Sequence, residues 1–183
     1  MQKKKLLLHS CCGPCSSGVI EGLLDEYDVT VYYYNPNIYP RAEFDKRANE
    51  QLKYLKIMNL PCVVGEYEDK KYYDVVKGLE GEPEGGLRCA ECFRLRLLAT
   101  AKYAKEHGFD VFTTTMSVSP HKDFELLNKI GKEVSDEVGI DYLRANFKKK
   151  DGYLKSIRNS QKYGLYRQNY CGCVFSLNSN TEH

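Results

Sequence analysis

The chain has 183 residues, 28% of them charged, with a net charge of +2 and eight cysteines. That length can bury a core without covalent staples, and so small a net charge does not mark a nucleic-acid binder by itself. No apolar run approaches the roughly 20 residues of a membrane span, and only Leu6 to Leu8 follow the first lysines, too few for a secretory signal; a soluble, cytoplasmic protein without a membrane partner is expected.

Along the chain, short strands alternate with amphipathic helices. "KLLLHS" predicts the first strand, and Ser16 or Ser17 is placed to cap a helix reaching about Asp25, with Val19, Ile20, Leu23 and Leu24 on one side. "DVTVYYYNP" predicts a second strand stopped by Asn35 and Pro36. "RAEFDKRANEQLKYLKIM" has helical spacing through Phe44, Ala48, Leu52 and Leu55, and "CVVGEY" predicts a third strand. Residues 75–86, "VVKGLEGEPEGG", carry four glycines and a proline and predict a mobile loop. From Cys89 to Lys105 the composition favours a helix, which Gly108 stops. "DVFTTTMS" reads as a strand, "FELLNKIGKEVSDEV" as a helix, "DYLRANF" as a strand or extended segment, and "GYLKSIRNSQKYG" as a last helix before a polar, loose tail. Such alternation predicts a three-layer α/β sandwich around a mainly parallel sheet. One domain is expected over 1–183, ending in a basic helix and a CxC tail. In such sheets ligands sit beyond the carboxyl ends of the strands, where the Cys11 loop and "TTTMSVSPHKD" could line one crevice.

Seven of the cysteines fall into three tight groups: Cys11, Cys12 and Cys15 in "SCCGPCSS", Cys89 and Cys92 in "RCAEC", and Cys171 and Cys173 in "YCGCVFS". In a reducing compartment such grouping points to metal ligands or redox groups rather than structural disulfides. Cys89 and Cys92 have the two-residue gap that brings both sulfurs to one metal, and a helix start lowers their thiol pKa. Cys11 and Cys12 would face opposite ways on a regular strand, so they suit an iron–sulfur cluster, or a loop turned by Gly13 and Pro14, better than a small zinc knuckle. Gly172 lets Cys171 and Cys173 approach, as a readily reduced disulfide or as further ligands of the same metal. Cys62 reads as a buried apolar side chain.

Elsewhere, seven Lys or Arg stand against one acid between Lys148 and Arg167, either a solvated helix face or a surface that tracks phosphates. Tyr166 and Tyr170 beside it have the composition of a base-stacking surface. His9, at the end of the first strand, reads as a hydrogen-bonded core residue, and His121 and Asp123 as polar groups of the last crevice loop.

"LLLHSCCGPCSS", "YYYNPNIYP", "RCAECFRLRL", "FTTTMSVSPHKD" and "GLYRQNYCGCVFS" together resemble the QueH family, the cobalamin-independent epoxyqueuosine reductases, from Leu6 to Ser176. The resemblance implies a fold like the nucleotide-hydrolase (PP-loop) superfamily and an oxidoreductase that removes the epoxide oxygen from epoxyqueuosine at the wobble position of tRNA, the last step of queuosine synthesis. It implies a [4Fe-4S] cluster on Cys11, Cys12, Cys89 and Cys92, with Cys15 binding an additional iron ion or replacing one of the four. It also implies a redox-active pair at Cys171 and Cys173 and an external electron donor. Within that reading Asp123, His121 or a metal-bound water would supply the proton, and Lys148, Lys149, Lys150 and Arg167 would hold tRNA phosphates. Two rivals are a zinc-stabilised RNA-binding module and a tRNA sulfur-transfer enzyme; the first loop lacks the glycine-rich, Asp-containing phosphate loop that the second would need.

Overall fold

The computed structural model describes residues 2–149 and 151–181. Five strands, β1 (Lys4–His9), β2 (Tyr27–Tyr33), β3 (Cys62–Val64), β4 (Val111–Thr114) and β5 (Asp141–Tyr142), form one sheet in the order β3-β2-β1-β4-β5. Every neighbouring pair is parallel, with Leu8 opposite Val31 on one side and Thr113 on the other. A parallel strand covered on both faces reads as a continuous apolar run, and Leu6, Leu7 and Leu8 in β1 are all fully buried.

The alternation within β1 sorts those leucines between two cores. Leu6 and Leu8 pack with Val29, Val31, Ile20, Tyr54 and Leu55 on one face. Leu7 packs with Phe112, Phe93, Leu97, Leu127 and Val134 on the other. The first core is roofed by α2 (Arg41–Met58) and by Val19, Ile20 and Leu23 in the turn that follows α1 (Gly13–Ser17), the second by α4 (Leu87–Glu106) and α5 (Phe124–Val138). Three layers result, as the alternating pattern predicts. α3 (Asp69–Val76), α6 (Gly152–Tyr163) and α7 (Val174–Thr181) complete the helices.

Four local expectations change. The first helix stops at Ser17, and its N-cap is Cys12 rather than Ser16 or Ser17, which are buried inside it. Gly18 ends that helix where a Cβ would lie 2.2 Å from the Gly152 carbonyl oxygen, so no side chain fits between α1 and the start of α6. Leu52 is 41% exposed, and α2 instead buries Arg47, Gln51 and Tyr54 beside Phe44, Ala48 and Leu55. Finally, α3 arises from the polar run "DKKYYDVV", which buries Tyr72 and Val76, and the tail is helical through Thr181.

Strand order reverses between β1 and β4, and open sheets bind ligands at such a switch point. The loops leaving those two strands, together with "NPNIYP" after β2, build the site.

Candidate functional site

The β1 ladder ends where the Ser10 amide donates to the Tyr32 carbonyl at 3.0 Å. Beyond it Cys12 is extended, with φ −169° and ψ 157°, and its sulfur accepts from the Cys15 amide at 3.5 Å as the cap of α1. Gly13 and Pro14 form the first turn of that helix. This turned backbone gathers the sulfurs that a strand would separate: Cys11, Cys12 and Cys15 Sγ all lie within 4.8 Å of one another, a group that can hold a metal ion. Ser10 and Ser16 Oγ hold the loop from behind, both donating to Gln51 Oε1, at 2.7 and 2.8 Å. From in front, Gln168 Nε2 donates to Cys12 Sγ at 3.0 Å. Hydrogen bonding from Cys12 and Cys15, helped by Lys122 and Arg96, holds the Cys11 thiol well below its usual range despite burial. Its interaction with Cys11 pushes Cys12 up to about 12, and that of Cys15 with Cys11 raises Cys15.

The second sulfur group comes from distant segments. Cys89 and Cys92 sit in the first turns of α4, and Cys89 Sγ accepts from the Gly85 amide at 3.2 Å. Just before them Arg88, buried, donates to the carbonyls of Glu80 and Glu82 and lies 4.4 Å from the centre of the Phe175 ring, so the glycine-rich loop is folded back against α4. Cys171 and Cys173 flank Gly172, whose φ of +136° is one that side chains rarely adopt and whose Cβ would lie 3.0 Å from Ile38. Arg47, 1% exposed, cradles this turn: it bonds Glu43 at 2.7 Å and donates to the carbonyls of Cys171 at 3.0 Å and Tyr170 at 3.2 Å. The Tyr39 amide closes on the Gly172 carbonyl at 2.7 Å. Cys173 accepts from the Ser176 amide at 3.4 Å, a sulfur at the start of α7 as Cys12 is at the start of α1.

Two cavities join the groups. A narrow one is lined by Cys89, Cys92, Cys171 and Cys173 together with Arg96 and Asp123. An open one of about 580 Å³ is lined by Cys11, Cys15, Tyr153, Arg167, Gln168 and Tyr170. Glu84, His121, Lys122 and Cys171 line both, so the larger space, of a size that takes a nucleoside-like ligand, abuts both sets of sulfurs.

The sequence-predicted residues fall as follows. Asp123 lines the narrow cavity, and its Oδ1 caps α5 by accepting from the Leu126 amide at 3.1 Å. His9 is a core residue as expected: Nε2 donates to the Tyr34 carbonyl at 2.9 Å, Nδ1 meets Thr114 Oγ1 at 3.0 Å, and burial lowers its pKa to about 4. Arg167 reaches the open cavity while donating to Ser156 and Ser160. Lys149 is exposed, whereas Lys148 is tied to the Lys122 carbonyl at 2.6 Å; Lys150 lies outside the described residues. The Tyr166 ring lies under Lys46 at 3.5 Å and its hydroxyl bonds Glu43, so only Tyr170 of the two tyrosines faces the cavity. Cys62 is half-buried in β3 and lines neither cavity.

Sequence reasoning passed over Arg47, Arg96, Lys122 and Gln168. For Arg96 and Gln168 the signal was in plain view, as polar side chains inside the cysteine-bearing stretches "CFRLRL" and "YRQNYC"; Lys122 lies in the crevice loop "SPHKD", and Arg47 in a helix that carries no cysteine. Nothing local says that they point inward.

A solved structure described as a predicted subunit of tRNA methyltransferase from Methanocaldococcus jannaschii aligns over 75% of this chain and 67% of its own at 12% identity and a TM-score of 0.49. Among curated proteins, the chain is 42% identical over 183 residues to the epoxyqueuosine reductase QueH of Staphylococcus epidermidis, covering 96% of this chain and 77% of that one. The protein of the same name from Haemophilus influenzae is 40% identical over 94% of this chain and 71% of its own, and that from Thermotoga maritima 37% identical over 94% and 90%. The family model described as epoxyqueuosine reductase QueH matches residues 6–179, a span that takes in all three cysteine groups, both cavities, β1 from Leu6 onward and the other four strands; the chain belongs to the QueH family.

Proposed function

We propose that this chain reduces epoxyqueuosine to queuosine at the wobble position of tRNA, working in the cytoplasm as one catalytic domain with electrons from an external donor. The observation that carries the reading is the pair of sulfur groups meeting at two cavities with shared walls, in a chain whose relatives bear that enzyme's name.

The donor set suits the cofactor that the resemblance implies. Every candidate ligand is a soft thiol sulfur, three of them within 4.8 Å, and the cations Arg96 and Lys122 stand beside them. Cys11, Cys12, Cys89 and Cys92 would hold a [4Fe-4S] cluster, with Cys15 available to an additional iron ion. Bound there, such a centre supplies single electrons and Lewis-acidic iron.

The chain's own residues do the rest. Oxidation of the Cys171–Cys173 thiol pair to a disulfide releases two electrons and two protons, the amount that turns an epoxide into an alkene and water; the external donor then restores the thiols. Asp123 or His121, both lining the narrow cavity, hands a proton to the departing oxygen. The modified base leaves a single-stranded anticodon loop, where unstacking is cheap, for the open cavity. Lys148, Lys149, Lys150 and Arg167 hold its phosphates.

The test begins with protein purified without oxygen, on which iron, zinc and acid-labile sulfide are measured before turnover on epoxyqueuosine tRNA. Cys89→Ala is expected to lose iron and activity together. Cys171→Ser is expected to keep its iron and lose multiple turnover. Zinc without sulfide in the unaltered protein would sink the reductase reading in favour of a zinc-stabilised RNA-binding module.

A further inference from the structure

Two arginines of this fold are 1% exposed, and they are treated differently. Arg47 has a carboxylate at 2.7 Å and two backbone carbonyls. Arg96 has far less: its Nε makes one long bond to the Cys92 carbonyl at 3.3 Å, its Nη2 has no partner among the described residues, and no described carboxylate pairs with it. A buried cation without a counter-charge is costly. The narrow cavity that Arg96 lines holds four sulfurs, Cys89, Cys92, Cys171 and Cys173, and two carboxylates, Glu84 and Asp123, neither of which pairs with it. Lys122, half-buried and also without a described carboxylate partner, stands where both cavities meet, with Cys11 and Cys15 on one side and Cys171 on the other. Its backbone carbonyl is held there by Lys148.

We propose that Arg96 and Lys122 are the counter-charges of one anionic sulfur centre spanning both cysteine groups, positioning residues that ease its reduction. Electrostatics of the folded chain supports this. Burial works against the charge of either cation, and the sulfurs outweigh it: Cys92, Cys171 and Cys11 for Arg96, and Cys171, Cys11 and Cys15 for Lys122. Neutral thiols would leave both charges uncompensated, whereas metal-bound thiolates repay them. Adding an electron to an already negative centre is easier beside fixed positive charge, so removing either cation moves the reduction potential down.

The inference rests on the reductase reading, and two measurements on the full chain separate them. The first is an optical redox titration of the oxygen-free protein as purified, for wild type, Arg96→Met, Arg96→Lys and Lys122→Met. The second is a titration of metal-free protein with cobalt(II) alone, followed by its thiolate-to-metal absorption. Both methionine variants are expected to have more negative midpoints and roughly tenfold or more weaker cobalt binding, with Arg96→Lys recovering most of both. Wild-type midpoints and cobalt affinity in folded methionine variants would overturn the proposal. If Arg96→Met does not fold, Lys122→Met decides alone on the same criteria. Should the wild type carry neither iron nor sulfide while the variants still bind cobalt more weakly, the reductase reading falls and the counter-charge assignment stands.

Discussion

Cys11, Cys12 and Cys15 come from five consecutive residues leaving a buried strand, whereas Cys89, Cys92, Cys171 and Cys173 come from two segments separated by β4, α5, β5 and α6. The first group is local: a helix N-cap and two serines set it, and the strand it leaves ends in four fully buried residues, Leu6 to His9. The second is assembled by tertiary contacts, with a buried arginine supplying the donors that its turn lacks. One is placed by secondary structure and the other by packing, so they should fail for different reasons.

The largest expected effect lies on the assembled side. Arg47→Met leaves the Cys171 and Tyr170 carbonyls without their donor and Glu43 without its cation, which should cost about 3–5 kcal/mol, as for other broken buried pairs. Urea unfolding measures this, and hydrogen exchange should show the Tyr39 amide losing protection while the Ser10 amide keeps it. A loss of protection at both would mean that the two sulfur groups are one structural unit.

The local side should be more sensitive to acid. His9 is held neutral in the fold, with its pKa lowered from 6.5 to about 4, so as pH falls the unfolded chain takes up the proton first. The stability present above pH 6.5 is therefore lost progressively through the window down to about pH 4. Between pH 7 and 5 the loss should be about 2 kcal/mol. In His9→Gln that part of the pH dependence should flatten; an unchanged slope would show that some other group titrates.

The smallest effect is expected where the two regions meet. Asp123→Ala removes the cap of α5 and should cost about 1 kcal/mol. Asp123→Asn restores the cap but not the carboxyl, so comparing turnover in the two variants separates a structural role from proton transfer.

The same contrast explains what could be read from the sequence. β1, β2 and α2 were legible because apolar periodicity reports burial directly, and the Cys11 loop because its residues are neighbours. The serines of "CSS" misled because a cysteine sulfur took the cap that serine usually provides. α3 was missed because its buried face is only Tyr72 and Val76 in a charged run. Leu52 was misplaced because Arg47 and Gln51, polar residues that face inward to hold the sulfur loops, rotate the buried face of α2 away from it. Lysines in a row look alike in one dimension, yet Lys148 braces a loop while Lys149 stays in solvent.

α2 also has a bearing on how this chain can vary. Gln51 holds the first sulfur loop and Arg47 cradles the last, and they are one helical turn apart on a common face, separated by about 6 Å along the axis. The helix is therefore a gauge that sets the distance between the two ends of the site. Inserting or deleting a single residue between them would swing one relative to the other by about 100° and detach a sulfur group, however well the helix itself survived. The turn at residues 77–86 carries no such constraint on its length except through the carbonyls that Arg88 gathers, so length variation among relatives of this chain should collect there and be absent from residues 47–51.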